Sequence, residues 1–152
     1  MVDVISTIVI ARTRHEVADF AANPNNATKW YANIKSVEWV TPPPLSVGTR
    51  LAFQARFLGR KLIYTYEITE FDRGERLVMR TSEGPFPMET LYEWKDVNIS
   101  ATEMVLRNRG EPAGFSVLLA PLMSAAIRWE NRQDLARLKR LVEAGATSSN
   151  GA

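Results

Sequence analysis

The sequence has no cysteine and a single histidine, His15, among its 152 residues. The absence of thiols excludes disulfides, a cysteine nucleophile and thiolate metal sites. A transition-metal site would then need clustered carboxylates, and no ligand spacing of that kind occurs. A glycine-rich phosphate loop and a serine nucleophile elbow are missing as well. We therefore expect no metal and no cofactor, and the residues assign no catalytic group.

Long apolar runs and clustered basic charge are also missing. No run approaches the roughly 20 residues of a membrane helix, and the N-terminus lacks a signal-peptide pattern. We expect a cytoplasmic protein with no integral membrane segment. The sequence pI is about 9.1, but the formal net charge is only +2 and basic residues alternate with acidic ones. Nucleic-acid binding needs basic residues gathered on one surface, so we expect no nucleic-acid partner.

The chain length indicates one domain, predicted over residues 1–145. The last residues, 146–152, are small and polar and are predicted to form a disordered tail. The sequence leaves open whether the protein is a monomer or a homodimer.

The first third of the chain predicts one strand, two short helices and a second strand. Residues 2–11 are rich in Val and Ile, which is typical of a strand. Thr13, followed three residues later by Glu16, forms the pattern of a capping box that begins a short helix. A second short helix is predicted over residues 27–31 and a strand over residues 34–40.

Residues 47–108 alternate between apolar and charged side chains, which predicts consecutive hairpins of a curved antiparallel sheet with one apolar face. A two-residue turn at Gly59-Arg60 would pair Ala55 with Tyr64. The same pairing scheme, continued to the last two strands, puts Glu93 opposite Glu103, and this like-charge pair disfavours the predicted register of the last hairpin. Further predicted neighbours are Ile68 and Met79, Leu77 and Tyr92, Met79 and Thr90, Glu67 and Arg80, and Glu89 and Arg107.

Residues 111–144 are predicted to form a long helix across the apolar face, kinked or started by Pro121. At about 100° per residue, the aliphatic stripe of its C-terminal half projects backwards onto polar residues near the middle of the sheet. Arg128 in that stripe is either a cavity anchor for an anionic ligand or a side chain that reaches solvent. The projected residues are Asn131, Arg128, Ile127 and Ser124.

Several of these motifs together resemble the polyketide cyclase/dehydrase family of the START and Bet v 1-like (SRPBCC) superfamily. They are Val17, Phe20 and Trp30, the turn from Glu70-Phe71-Asp72 to Arg76-Leu77, the loop Gly84-Pro85-Phe86, and the closing Asp134-Leu135-Ala136-Arg137-Leu138-Lys139. The resemblance implies an α+β helix-grip fold with about seven strands and a long C-terminal helix. It also implies a hydrophobic ligand cavity between sheet and helix. The sequence departs from the family pattern at Ile99-Ser100-Ala101-Thr102, before the last strand.

We expect the cavity to bind or transport a small hydrophobic molecule that is anionic, aromatic, polyketide-like or lipid-like. An aromatase/cyclase or dehydratase-like enzyme using Tyr64, Tyr66, Arg128 and Glu70 is the alternative. In a third alternative the cavity is filled and the fold serves as an interaction surface, which a volume below roughly 300 Å³ would favour. The candidate ligand-binding residues are Trp30, Phe53, Phe57, Tyr64, Tyr66, Met79, Tyr92, Ser124, Arg128 and Asn131.

Overall fold

The computed structural model describes residues 2–57, 59–84, 87–111 and 120–145, without the side chain of Phe57. Within these residues the chain forms seven strands and three α-helices. The strands are β1 Val2–Ile10, β2 Ile34–Trp39, β3 Arg50–Phe57, β4 Arg60–Asp72, β5 Arg76–Glu83, β6 Met88–Asn98 and β7 Ala101–Gly110. The helices are α1 Arg14–Ala22, α2 Ala27–Trp30 and α3 Ala120–Glu143, with a 3₁₀ turn at Pro24–Asn26 before α2.

The strands form one antiparallel sheet in the order β1-β7-β6-β5-β4-β3-β2. The sheet curls into a half-barrel, and α3 is the long C-terminal helix of an α+β helix-grip fold. The predicted fold class and element order are therefore confirmed. None of the helices in the described ranges is long and apolar enough to cross a bilayer.

Helix α1 begins as its capping residues predict. The Thr13 hydroxyl accepts a hydrogen bond from the Glu16 backbone N–H at 3.3 Å and donates one to the Glu16 carboxylate at 3.0 Å. These bonds fix the first turn, and the helix then buries Val17 and Phe20 against the sheet. Helix α1 thereby packs against β6, β7 and α3.

The middle hairpins have the predicted register, whereas the β3–β4 hairpin is shifted by two residues. Ala55 pairs with Leu62, not with Tyr64, and Phe57 pairs with Arg60. These pairs centre the turn one residue earlier than predicted, and Gly59 in the turn has a φ of +78°, a conformation that favours glycine. A two-residue shift keeps every side chain on its predicted face.

The predicted register of β6 and β7 is also wrong by two residues. Glu103 lies opposite Lys95, so the predicted clash with Glu93 does not occur. Glu89 lies opposite Arg109, and their side chains form an ion pair. The observed register replaces a like-charge contact with opposite-charge pairs, which stabilise a sheet.

Helix α3 begins at Ala120, with Pro121 in its first turn, where proline is tolerated because its nitrogen has no helical acceptor. Of the predicted earlier helix, Glu111 is not helical and residues 112–119 lie outside the described residues. Leu135, Leu138 and Val142 form the buried stripe of the C-terminal half, as predicted.

Candidate functional site

A cavity of about 180 Å³ lies between the concave face of the sheet and the first half of α3. The sheet contributes apolar side chains from β3 to β6, and α3 contributes Met123 and Ile127. The segment from the end of α1 to the start of β2 forms the third wall. The sheet residues that make this wall apolar include Leu51, Phe53, Leu62, Ile68, Leu77 and Met79.

The volume of the cavity limits the size of the ligand that it can hold. It is below the roughly 300–1,000 Å³ of sites for drug-sized molecules. It exceeds an engineered cavity of roughly 150 Å³ that takes up benzene. The small volume meets the criterion for the interaction-surface alternative, but the space is not filled. The volume of the cavity therefore fits a molecule of one or two small rings.

A chain of neutral polar groups crosses the cavity wall from helix to sheet. The Asn131 amide donates to Asn108 Oδ1 at 2.8 Å, and the Asn108 amide donates to Thr90 Oγ1 at 2.9 Å. Tyr66 is hydrogen-bonded to Thr90, and burial raises the pKa of Tyr66 to about 12. All four residues line the cavity, which brings several donors and acceptors into an otherwise apolar wall.

Two tyrosine hydroxyl groups form a second polar site in the cavity wall. The hydroxyls of Tyr31 and Tyr92 lie 2.6 Å apart, and burial raises the pKa of both groups, so both remain protonated at neutral pH. Trp30 stacks beside Tyr31 with ring centroids 3.9 Å apart. Trp30 is fully buried behind these rings and does not itself line the cavity, contrary to its expected place.

Two carboxyl groups of α3, Glu130 and Asp134, also line the cavity. Burial raises the pKa of Asp134, although its Oδ1 accepts hydrogen bonds from Ala32 N and from Arg137 Nη1, each at 3.1 Å. Burial and the nearby Asp134 raise the pKa of Glu130, and a hydrogen bond with Asn33 lowers it by a smaller amount. Neither residue was among the predicted site residues. Glu130 and Asp134 precede Leu138 at intervals of four residues, which places them on the same side of the helix. This spacing is the signal in the sequence that could have identified them.

The carboxylate that was predicted for the cavity, Glu70, lies elsewhere. A β-bulge between Ile68 and Glu70 places Glu70 opposite Val78, on the convex side of the sheet. Its exposed carboxylate forms an ion pair with Arg76 Nε at 2.7 Å. The bulge adds one residue to the strand and so reverses the direction of the side chain.

Helix α3 does not place Arg128 or Ser124 in the cavity wall. Arg128 is exposed, which matches the alternative in which its side chain reaches solvent. The stripe that faces the cavity runs through Ile127, Asn131 and Asp134, and Arg128 lies about 100° away from it. The remaining candidates, Phe53, Tyr64, Tyr66, Met79, Tyr92 and Asn131, line the cavity, while the side chain of Phe57 lies outside the described residues.

The sequence matches the family described as "Polyketide cyclase / dehydrase and lipid transport" over residues 1–143. The chain belongs to this family. The resemblance found in the sequence is therefore confirmed, and membership supports ligand binding or polyketide cyclase activity in general. No curated protein sequence matches the chain.

Solved structures share the fold at low sequence identity. TTHA0849 from Thermus thermophilus has a TM-score of 0.82 and 21% identity, covering 95% of this chain and 99% of that one. The ZhuI aromatase/cyclase from Streptomyces sp. R1128 has a TM-score of 0.79 and 17% identity, covering 95% and 98%. A START superfamily protein from Mycobacterium smegmatis has a TM-score of 0.70 and 11% identity, covering 93% and 94%. At such identities these likenesses show the fold alone.

Proposed function

We propose that the protein binds a small, neutral, ring-containing hydrophobic molecule in the cavity beneath α3. The observation that carries this proposal is an apolar wall into which one chain of neutral hydrogen-bonding groups projects, from Tyr66 to Asn131. A few convergent polar groups in an apolar pocket are the usual composition of a small-molecule site. A hydroxyl or carbonyl group of the ligand would bond to this chain and fix its orientation.

The charges around the cavity favour a neutral ligand over an anionic one. Glu130 and Asp134 contribute carboxyl groups, and placing an anion beside them is unfavourable. Among the described lining residues Arg56 is the one cation, and it is exposed to solvent at the cavity edge. Arg128, the anchor considered for an anionic ligand, is outside the wall.

A matched pair of probes, 2-naphthol and naphthalene, tests the proposal by calorimetric titration. The two differ by one hydroxyl, so the ratio of their affinities reports the hydrogen bond to the polar chain. We expect 2-naphthol to bind about tenfold more tightly, as one net hydrogen bond allows. Native mass spectrometry of freshly purified protein is the companion measurement, because it detects a molecule that is already bound.

Variants on α3 assign the effect to the cavity. Asn131→Leu removes one end of the polar chain and is expected to bring the affinity ratio close to one. Gln133→Leu makes the same type of change on the exposed side of the same helix and should leave the ratio unchanged. If neither probe binds, or if both variants change the ratio equally, the proposal is wrong.

An aromatase/cyclase or dehydratase-like activity is the second candidate, favoured by two carboxyl groups in the cavity wall, Glu130 and Asp134, of which Asp134 lies near the phenols of Tyr31 and Tyr92. Carboxyl groups with raised pKa values can transfer protons at a bound carbonyl compound. The test is incubation with a short linear poly-β-ketone thioester, followed by product analysis. Glu130→Gln should lose any product that depends on the protein, whereas Glu38→Gln, an exposed carboxyl group on β2, should keep it. Identical products with and without protein would exclude this activity.

A further inference from the structure

The outer side of α3 carries an apolar strip over its first turns. Leu122 and Trp129 are 68% and 65% exposed, and Ala125 and Ala126 lie between them on the same side of the helix. Seven residues correspond to about two helical turns, so the two large side chains point in nearly the same direction about 10 Å apart. A helix side that faces only water usually carries polar residues. This strip is therefore suited to contact with an apolar surface.

Cations without carboxylate partners flank the strip. Arg128, Arg132 and Arg140 are exposed, and none of them makes an ion pair within the described residues. The acidic residues of α3 are directed elsewhere, because Glu130 and Asp134 line the cavity and Glu143 pairs with Lys139 at 2.7 Å. The outer side of α3 is thus apolar near its start and positively charged beside and beyond that strip.

The charge decides between possible partners. In a two-fold dimer through this strip the arginines of both copies would face each other, and like charges repel. An anionic phospholipid surface supplies phosphates for the arginines and an interfacial layer for the indole of Trp129. We propose that the outer side of α3 docks on an anionic phospholipid membrane, with Leu122 and Trp129 inserted at the interface.

Docking in this orientation places the cavity beside the lipid. Met123 and Ile127 line the cavity from the inner side of the same turns that expose Leu122 and Trp129 outward. A hydrophobic ligand that leaves the cavity past α3 would then meet the membrane and not bulk water. The docking itself does not depend on the identity of that ligand, so it is tested without one.

Co-sedimentation of the full chain with vesicles tests the proposal. We expect binding to vesicles of phosphatidylcholine mixed with phosphatidylglycerol, no binding to phosphatidylcholine alone, and weakening by salt. Arg128→Gln with Arg132→Gln should lower the binding constant about twenty-five-fold, because each arginine near an anionic surface contributes roughly a factor of five. The matched control, Arg60→Gln with Lys61→Gln, removes the same charge from exposed positions at the start of β4.

Tryptophan emission provides a second, site-specific readout. Of the four tryptophans, Trp30 and Trp94 are buried and Trp39 is half-buried with its Nε1–H bonded to Asn25 Oδ1, so a blue shift on adding mixed vesicles should come mainly from the exposed Trp129. Trp129→Phe should lose the shift but still sediment, whereas Trp129→Ser should sediment about tenfold less well because an inserted apolar group is lost. Circular dichroism establishes that each variant is folded.

Several results would overturn the proposal. Equal binding to both types of vesicle, or to neither, removes the anionic membrane as the partner. An equal loss in the control double variant assigns any binding to net charge alone. A blue shift that persists in Trp129→Phe assigns the contact to another surface. Concentration-dependent dimerisation that Trp129→Ser abolishes would assign the strip to a second copy of the chain.

Discussion

Replacing Asn131 by leucine should separate hydrogen bonding from packing in the cavity wall. Asn131 is 5% exposed, and its amide donates to Asn108 Oδ1 at 2.8 Å. Leucine has a similar size, so the main loss is this bond together with the unsatisfied acceptor that remains on Asn108. We expect the free energy of unfolding to fall by about 1–3 kcal/mol. Asn108→Leu should cost more, about 2–4 kcal/mol, because it also breaks the bond to Thr90 at 2.9 Å.

The double variant Asn108→Leu with Asn131→Leu measures the coupling energy between the two residues. Replacing both partners by apolar groups of similar shape is nearly neutral for the bond they share. The double variant should therefore be about 1–2 kcal/mol more stable than the sum of the single changes predicts. Urea unfolding monitored by circular dichroism, with the slope of the transition held constant, measures each value.

The control for this cycle is Gln133→Leu, an exposed change on the same helix that should stay within about 0.5 kcal/mol of the unmodified protein. Single changes that add within about 0.5 kcal/mol would mean that Asn108 and Asn131 are not energetically coupled. Additivity would mean that water in the cavity satisfies the groups that the substitutions leave without a protein partner.

Four further outcomes are expected. Tyr66→Phe should cost about 1 kcal/mol of stability and weaken 2-naphthol binding by calorimetry, and unchanged binding would remove Tyr66 from the site. Arg128→Leu should leave the binding of carboxylate and neutral probes unchanged, and a selective loss of the carboxylate probe would contradict its exposed position. Met79→Ala should lower stability by about 2–5 kcal/mol and admit a larger ring system, detected by competition with 2-naphthol. Because burial raises the pKa of Glu130 in the folded chain, folding takes up protons, so stability should rise from neutral to mildly acidic pH and Glu130→Gln should reduce that rise. Parallel urea-unfolding profiles across this pH range would contradict it.

The sheet was predictable because side chains on a strand alternate strictly between two faces. That alternation identified the apolar face and the order of the elements, and it set the register of β4 with β5 and of β5 with β6. It could not set the register of β3–β4 or β6–β7, since a shift by two residues leaves the pattern unchanged. There the position of the turn decides, and the pairing of Phe57 with Arg60 shows that the β3–β4 turn lies one residue earlier than predicted.

The site was predictable on the sheet and less so on the helix. Tyr66 and Met79 follow from strand alternation, whereas Glu70 does not, because a bulge interrupts the alternation just before it. On α3 the stripe of Leu135 and Leu138, projected backwards, includes both Ile127 and Arg128. Ile127 lines the cavity, whereas Arg128, the next residue, is exposed. An arginine at the edge of a stripe can turn outward, while the shorter Asp134 has to satisfy its charge where it lies.

The pairing of β1 with β7 has a consequence for folding during synthesis. Val2 lies beside Gly110, so β1 finds this neighbour only after the strands β2 to β6 have been translated. Until then the apolar side of β1 has neither β7 nor α3 to cover it, and contacts this distant in sequence form slowly. The nascent strand β1 is therefore the segment in which we expect chaperone contact and aggregation to concentrate.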